Sequence, residues 1–279
     1  MKLPRWMRSA RVLTGLALAG LLLGLAVAGP LLAPNDPMAQ DLSLPFAPVR
    51  LRSLYPLGTD ALGRCVLSRL LWGARPALAM ALAAALGAML LGAGLAYAAG
   101  YAGGWPARVV RRAEAVWLAF PPVVLALLLV AGLGGGAGTV VVAIVLVDWT
   151  RFCRPLRRAV RVVARRDHVT SARLSGFSHG RTLWREVVPQ TWALLAVLLA
   201  SEMAIALVVA ATLSFLGIGT GGDEAGWGQM IADGREALRQ APAGLLAPVL
   251  ALVAGVAGFN LMADGLRRTL GVKLVEAMR

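Results

Sequence analysis

Apolar residues along this chain gather into windows of about 20, set apart by arginine-rich or glycine- and proline-rich stretches. About 20 residues at 1.5 Å each cross the ~30 Å hydrocarbon core of a bilayer, so the pattern predicts transmembrane helices. Six windows qualify: roughly Val12 to Ala33, Pro76 to Ala99, Ala113 to Ala131, Thr139 to Thr150, Thr191 to Leu213 and Gly244 to Ala263. The fourth is short and reaches spanning length only if the glycine-rich Leu133 to Gly138 segment lies partly in the membrane. The windows are continuously apolar, without the alternation of a barrel strand, which excludes a transmembrane β-barrel. The predicted class is an all-α polytopic membrane protein with six transmembrane helices.

Composition agrees with that picture, with 58% hydrophobic and 15% charged residues among 279 and a mean hydropathy of +0.72. Charge then supplies orientation. With the N-terminus in the cytoplasm, Lys2, Arg5, Arg8 and Arg11 lie there, as do three arginines between helices 2 and 3, ten between helices 4 and 5, and four basic residues after helix 6. That puts 21 of the 28 Lys and Arg on one side, and the positive-inside rule makes both termini cytoplasmic. The net charge of +14 is mostly a topology signal, because a nucleic-acid surface would need a basic face with stacking aromatics. Ala26-Val27-Ala28 resembles a signal-peptidase site, but the apolar run continues through Leu31 and Leu32 as an anchor would. This topology puts Cys65 and Cys153 on opposite sides of the bilayer, so they cannot pair.

No repeat period is apparent, and three loops remain outside the spans, about 34–75, 151–190 and 214–243, each too small for a separate domain. The chain reads as one transmembrane domain over 1–279 with a cytoplasmic loop at about 151–190. Within that loop Asp167 is expected to cap a short helix through Arg173. Gly176 stands where a left-handed C-cap is needed, and Ser178 can start a second helix that ends before Pro189.

The residues that carry chemistry are few. Gly132–Gly138 and Gly217–Gly222 look like phosphate-binding loops, but neither lies in a βαβ unit and neither is followed by lysine. The chain therefore does not hydrolyse ATP itself. His168 and His179 have no cysteine at ligand spacing, and no Ser/His/acid set or HExxH motif occurs, so no catalytic residue, metal site or cofactor is expected. Glu202 lies near the middle of helix 5, and an ionisable residue at that depth usually marks a pathway.

Four stretches together resemble one family. Pro56-Leu-Gly-Thr-Asp60-Ala-Leu-Gly63-Arg64 through Ser68-Arg69 is similar to the PLGTDxLGRDxxSR segment of permeases of peptide and nickel ABC importers. Thr170-Ser171-Ala172-Arg173-Leu-Ser-Gly176 with Val188-Pro189 is similar to their EAAxxxG loop and trailing LP. Leu213-Ser-Phe-Leu-Gly217-Ile-Gly219 with Trp227-Gly228 is similar to their LSFLGLG…WG outer loop, and Phe259-Asn260 through Asp264-Gly265-Leu266-Arg267 to their FNLxGDxLRD ending.

The resemblance implies a type I importer permease fold and a machine in the bacterial inner membrane. That machine comprises a second similar permease, two cytoplasmic ATPase subunits that hydrolyse the ATP, and an external solute-binding protein. It implies that Asp167, Thr170, Ser171, Ala172, Arg173 and Gly176 form the loop that an ATPase grips; the same arginines can also hold anionic lipid headgroups. The chain departs from the pattern where Thr170 and Ser171 replace the acid and first alanine of the EAA motif, where Cys65 replaces an aspartate, and where Ala210 replaces a glutamate. Glu202, with Arg173 through His179, leans towards the nickel or metal-chelate branch over di- and oligopeptides. The alternative from another class is a membrane anchor or assembly protein without a transport role.

Overall fold

The structure, a computed structural model, describes residues 10–218 and 225–270. Lys2, Arg5, Arg8, Lys273, Arg279 and the Gly219–Gly222 part of the second glycine cluster lie outside the described residues. Helix α1 (Ala10–Leu32) leads through a long loop to α2 (Val66–Ala102), and then come α3 (Gly104–Trp117), α4 (Pro122–Leu133) and α5 (Ala137–Val163). A short segment of α6 (Asp167–Leu174) and α7 (His179–Thr182) passes through a π-helical turn, Leu183–Val187, into α8 (Val188–Phe215). Helices α9 (Trp227–Glu236) and α10 (Pro242–Thr269) complete the fold. The described residues contain no strand, only an isolated bridge between Thr59 and Cys65.

Four helical stretches are long and apolar enough to cross a membrane: α1, α2, α7 continued through α8, and α10. Counting the bent pair α3 and α4 as one span makes five, so the expected six is not recovered on these grounds. Two windows account for the difference. Ala113 to Ala131 does not form one helix, because α3 and α4 meet at 92°. Pro121 and Pro122 lie at the corner, where each lacks an N–H and disfavours helical geometry in the residue before it. The corner is tied to α5 by a hydrogen bond from the Trp117 indole N–H to the Leu146 carbonyl and by an edge-on contact with Trp149.

The other is the fourth window, Thr139 to Thr150, which lies on the much longer α5. That helix carries Asp148 and five arginines in its second half, including Arg151 and Arg157, so it is not apolar enough to count. The inner loop expected from Arg151 accordingly begins only after Val163. Helix α2 also starts well before the expected Pro76, which it carries inside it.

Helices α2 and α5 pack most extensively, and their seam is made of small residues. Ala81, Ala84, Ala85, Ala88, Ala96 and Ala99 are fully buried along α2. A side chain at Gly92 would meet the Trp149 carbonyl and the Phe152 Cβ at 2.8 Å, and one at Gly100 would meet the Arg157 carbonyl at 2.9 Å. Glycines also bring α1 and α10 together, where a Cβ on Gly258 would lie 2.9 Å from Leu18. Small residues let backbones approach closely where apolar surroundings give no hydrophobic drive to associate.

This seam makes a direct expectation. Gly92→Leu should lower stability by about 1–3 kcal/mol or more through overpacking against rigid backbone. Gly94→Ala, where nothing lies within 4 Å, should be neutral or slightly stabilising. Thermal unfolding of the purified variants in detergent checks the contrast.

Candidate functional site

Three groups of side chains stand out, spread along the length of the bundle. The first is the segment between α5 and α8. Helix α6 ends in a Schellman turn: Phe177 N–H donates to the Ala172 carbonyl (3.1 Å), Gly176 N–H donates to the Arg173 carbonyl (3.0 Å), and Gly176 has φ +86°. This is the left-handed C-cap expected at Gly176. The expected cap at Asp167 is corrected: Arg166 is the N-cap and makes no side-chain cap bond, while Asp167 is the first helical residue, where its charge still suits the helix dipole.

Ser178 does cap α7, its hydroxyl accepting from Arg181 N–H. The second helix does not end before Pro189. It runs on through the π turn into α8, and that wide turn lies where Pro189 has no N–H to continue the ladder. Gln190 ties the two ends of the segment together, accepting from Arg166 (3.0 Å) and donating to His168 (2.5 Å). Thr170, Ser171, Arg173 and Gly176 are exposed and Ala172 is half-buried. Leu174 projects with 85% of its surface exposed, and Trp184 with 71%.

The second group surrounds Glu202 on α8, which is only 2% exposed, with one carboxylate oxygen lacking a hydrogen-bond partner. Its charged neighbours are Asp148 and Arg151 on α5, which pair at 2.8 Å. Asp148, Arg151 and Arg154 line a cavity of about 320 Å³ against Trp117 and Phe120 at the α3–α4 corner. Glu202 is thus not alone at its depth, since α5 brings a second acid and an arginine beside it. Deeper on α5, Arg157 pairs with Glu114 of α3 at 2.6 Å, both buried.

The third group is at the other end of α2. Asp60 accepts from the backbone N–H groups of Leu62 and Arg64 (both 2.9 Å), from Arg64 Nε (2.7 Å) and from Arg69 (2.6 Å). Both arginines also reach Asp233 of α9, at a longer 3.4 Å. The Trp227 indole donates to the Leu70 carbonyl (2.9 Å), and Gly228 lies against the Ala211 carbonyl and Ser214, where a side chain would not fit. The PLGTD-like and WG-like stretches, more than a hundred residues apart in sequence, therefore meet in one assembly.

The amino-acid sequence matches a known family over residues 88–274, the binding-protein-dependent transport system inner membrane component. The chain belongs to this family. Its relatives include a glutathione transport system permease protein of Pectobacterium atrosepticum, 36% identical and covering 80% of this chain and 74% of its own length. A di/tripeptide transport system permease protein of Pseudomonas aeruginosa is 34% identical, covering 95% and 89%. A nickel transport system permease protein of Escherichia coli is 35% identical, covering 87% of each chain. The chain is thus an ABC transporter permease component of the inner membrane; an anchor without a transport role is not what this family describes.

In this permease the six loop residues named from the sequence, Asp167, Thr170, Ser171, Ala172, Arg173 and Gly176, share one short segment, and Glu202 lies apart from them inside the bundle. Sequence reasoning did not find Asp148 and Arg151 as partners of Glu202, nor Asp233 and the Glu114–Arg157 pair. The one signal for Asp148 was an acid inside a predicted span.

The far-end network gives the second expectation. Arg69→Ala removes one short, buried partner of Asp60, which keeps Arg64 and two backbone N–H groups, and should cost about 1.5–3 kcal/mol, the worth of a hydrogen bond to a charged group. Asp233→Asn, at the longer and more exposed contact, should cost under ~1 kcal/mol. Denaturation midpoints of the two variants test this ranking.

Proposed function

We propose that this permease, as a single transmembrane domain over residues 1–279, forms half of a translocation path driven by ATP that two separate cytoplasmic ATPase subunits hydrolyse. A second, homologous permease forms the other half, and an external solute-binding protein delivers the cargo. The arginine-rich segment from Arg165 to Gln190 faces the cytoplasm, as do both termini, and Asp167 to Gly176 is the surface that an ATPase subunit grips. The observation that carries this is the exposure of Leu174 and Trp184 on a segment braced from within by its Schellman turn and by Gln190. Large apolar side chains held out on a rigid segment suit a partner surface. With Thr170 in place of the family's acid, Asp167 is the one carboxylate within that stretch.

The cargo we propose is a small peptide. The cavity beside the α3–α4 corner is lined by two arginines and one acid, Arg151, Arg154 and Asp148, a set that holds a carboxylate better than a bare metal cation. Glu202 backs the Asp148–Arg151 pair from inside the bundle and is the permease's buried contribution to the path. Purification of the permease with the ATPases, second permease and binding protein encoded beside it, followed by uptake into proteoliposomes, tests the whole reading. ATP-dependent accumulation of a dipeptide is expected. A permease that binds no ATPase overturns the coupling reading, and uptake of nickel without peptides overturns the cargo.

Two variants sharpen it. Arg151→Gln should assemble normally yet lower peptide uptake roughly tenfold or more, the cost of one charged hydrogen bond of about 1.5–3 kcal/mol. Glu202→Gln should lower it less. Orientation is read with thiol reagents on intact cells. Native Cys65 and Cys153 are both buried, so neither should react. Gln40→Cys should be labelled from outside by an impermeant reagent, and Arg165→Cys only after permeabilisation. The reverse pattern would invert the topology.

A further inference from the structure

Two tyrosines one turn apart on α2, Tyr97 and Tyr101, are half-buried where that helix meets the α6–α8 segment. The Tyr97 hydroxyl lies 2.7 Å from Thr191 Oγ1. The Thr191 hydroxyl already donates to the carbonyls of Val187 and Val188 (3.3 and 3.1 Å), so its oxygen accepts and Tyr97 donates. Tyr101 makes a different kind of contact. Its ring lies under the Arg173 guanidinium at 5.1 Å, the His179 ring stands edge-on to it at 6.0 Å and 79°, and its hydroxyl reaches His179 Nδ1 at 3.5 Å.

Arg173 Nη2 is 2.8 Å from the same Nδ1. Arginine has no acceptor, so Nδ1 accepts and His179 is the neutral imidazole with its hydrogen on Nε2. Among the described residues, Tyr101 is the one side chain from outside residues 167–215 that stacks on or hydrogen-bonds to α6 or α7.

The two contacts bracket the π turn at Leu183–Val187, Tyr101 holding the chain before it and Tyr97 the chain after it. Single π turns inside α-helices are frequent at functional sites. Helix α2 itself is one unbroken helix of 37 residues, about 55 Å at 1.5 Å per residue. Its other end holds Arg69 between Asp60 and Asp233. A displacement of the Arg173–His179 turn therefore has a stiff path to α9 at the far end of the bundle, and rigid-body movement of whole helices is one of the recognised forms of switching.

We infer that Tyr101, steadied by Tyr97 one turn away, is a positioning residue of the transport cycle: it carries movement of the ATPase-gripping segment into α2 and along it to the Asp60–Asp233 network. This rests on the reading of residues 167–176 as that segment, and the test separates the two. In the assembled complex, spin labels at Gln40→Cys and Arg239→Cys report the far end, with distances measured before and after trapping with ATP and vanadate. Co-purification of the ATPases and their basal hydrolysis report the gripping segment.

Tyr101→Ala should retain the ATPases and their hydrolysis but lose most of the far-end distance change. Tyr101→Phe, which keeps the ring face for Arg173, should retain it. Should Tyr101→Ala assemble poorly, Tyr101→Leu, which removes the ring face but keeps side-chain bulk on α2, is read in its place with the same expectation. Gly176→Val, which breaks the Schellman turn itself, is the comparison. If it abolishes the distance change while both Tyr101→Ala and Tyr101→Leu keep it, the tyrosine link is wrong and the gripping segment stands. If Gly176→Val also keeps the change along with normal ATPase assembly, the segment reading fails as well.

Discussion

The close approach of α2 and α5 is the constraint on which the rest of the permease depends. It exists because Gly92, Gly100 and a row of buried alanines remove side-chain bulk from one face of α2. In apolar surroundings no hydrophobic gain drives two helices together, and the attraction comes from dispersion between surfaces that fit, so the smallest residues give the tightest contact. Once that seam is made, α5 carries Asp148 and Arg151 to Glu202 and carries Arg157 to Glu114. In the same way α2 carries Arg69 to one end of the bundle and Tyr97 and Tyr101 to the other.

The buried charges then distinguish parts that are held from parts that can move. Glu114 and Arg157 lie within 2.6 Å of each other, well inside the protein, and join the first limb of the bent span to α5. Such pairs add little net stability, because desolvation offsets most of the attraction, but breaking one is expensive, so they specify an arrangement more than they strengthen it. The network at the other end has a graded character. Asp60 is held by short bonds from two arginines and two backbone N–H groups, whereas Asp233 on α9 is reached only at 3.4 Å and is partly exposed. The contact joining α9 to that network is the weaker one, and it is where a helix could part from the bundle with least loss.

Local chemistry was the legible part of the sequence. Gly176 ends α6 in a left-handed residue and Ser178 caps α7, because each depends on only a few neighbouring positions. Asp167 was misplaced by one residue, since an acid serves a helix start equally well as the cap or just inside it. The bend between α3 and α4 was in principle readable from Pro121 and Pro122, but a window of continuous hydrophobicity conceals it. The length of α5 was not readable from hydropathy at all. Its arginines resemble a loop in that measure, and only the helical spacing of Phe152, Leu156 and Val160, buried against α2, shows that the helix continues.

By itself the sequence determined a helical membrane protein, its expected orientation and its family, because apolar length, arginine placement and short motifs are properties of consecutive residues. Tertiary structure alone decided which distant residues share an environment. It brought Asp60 together with Asp233, Glu202 with Asp148 and Arg151, and Tyr101 with Arg173 and His179. The energy of a buried charge or a stacked ring depends on what packs against it from another helix, and no run of neighbouring residues encodes that.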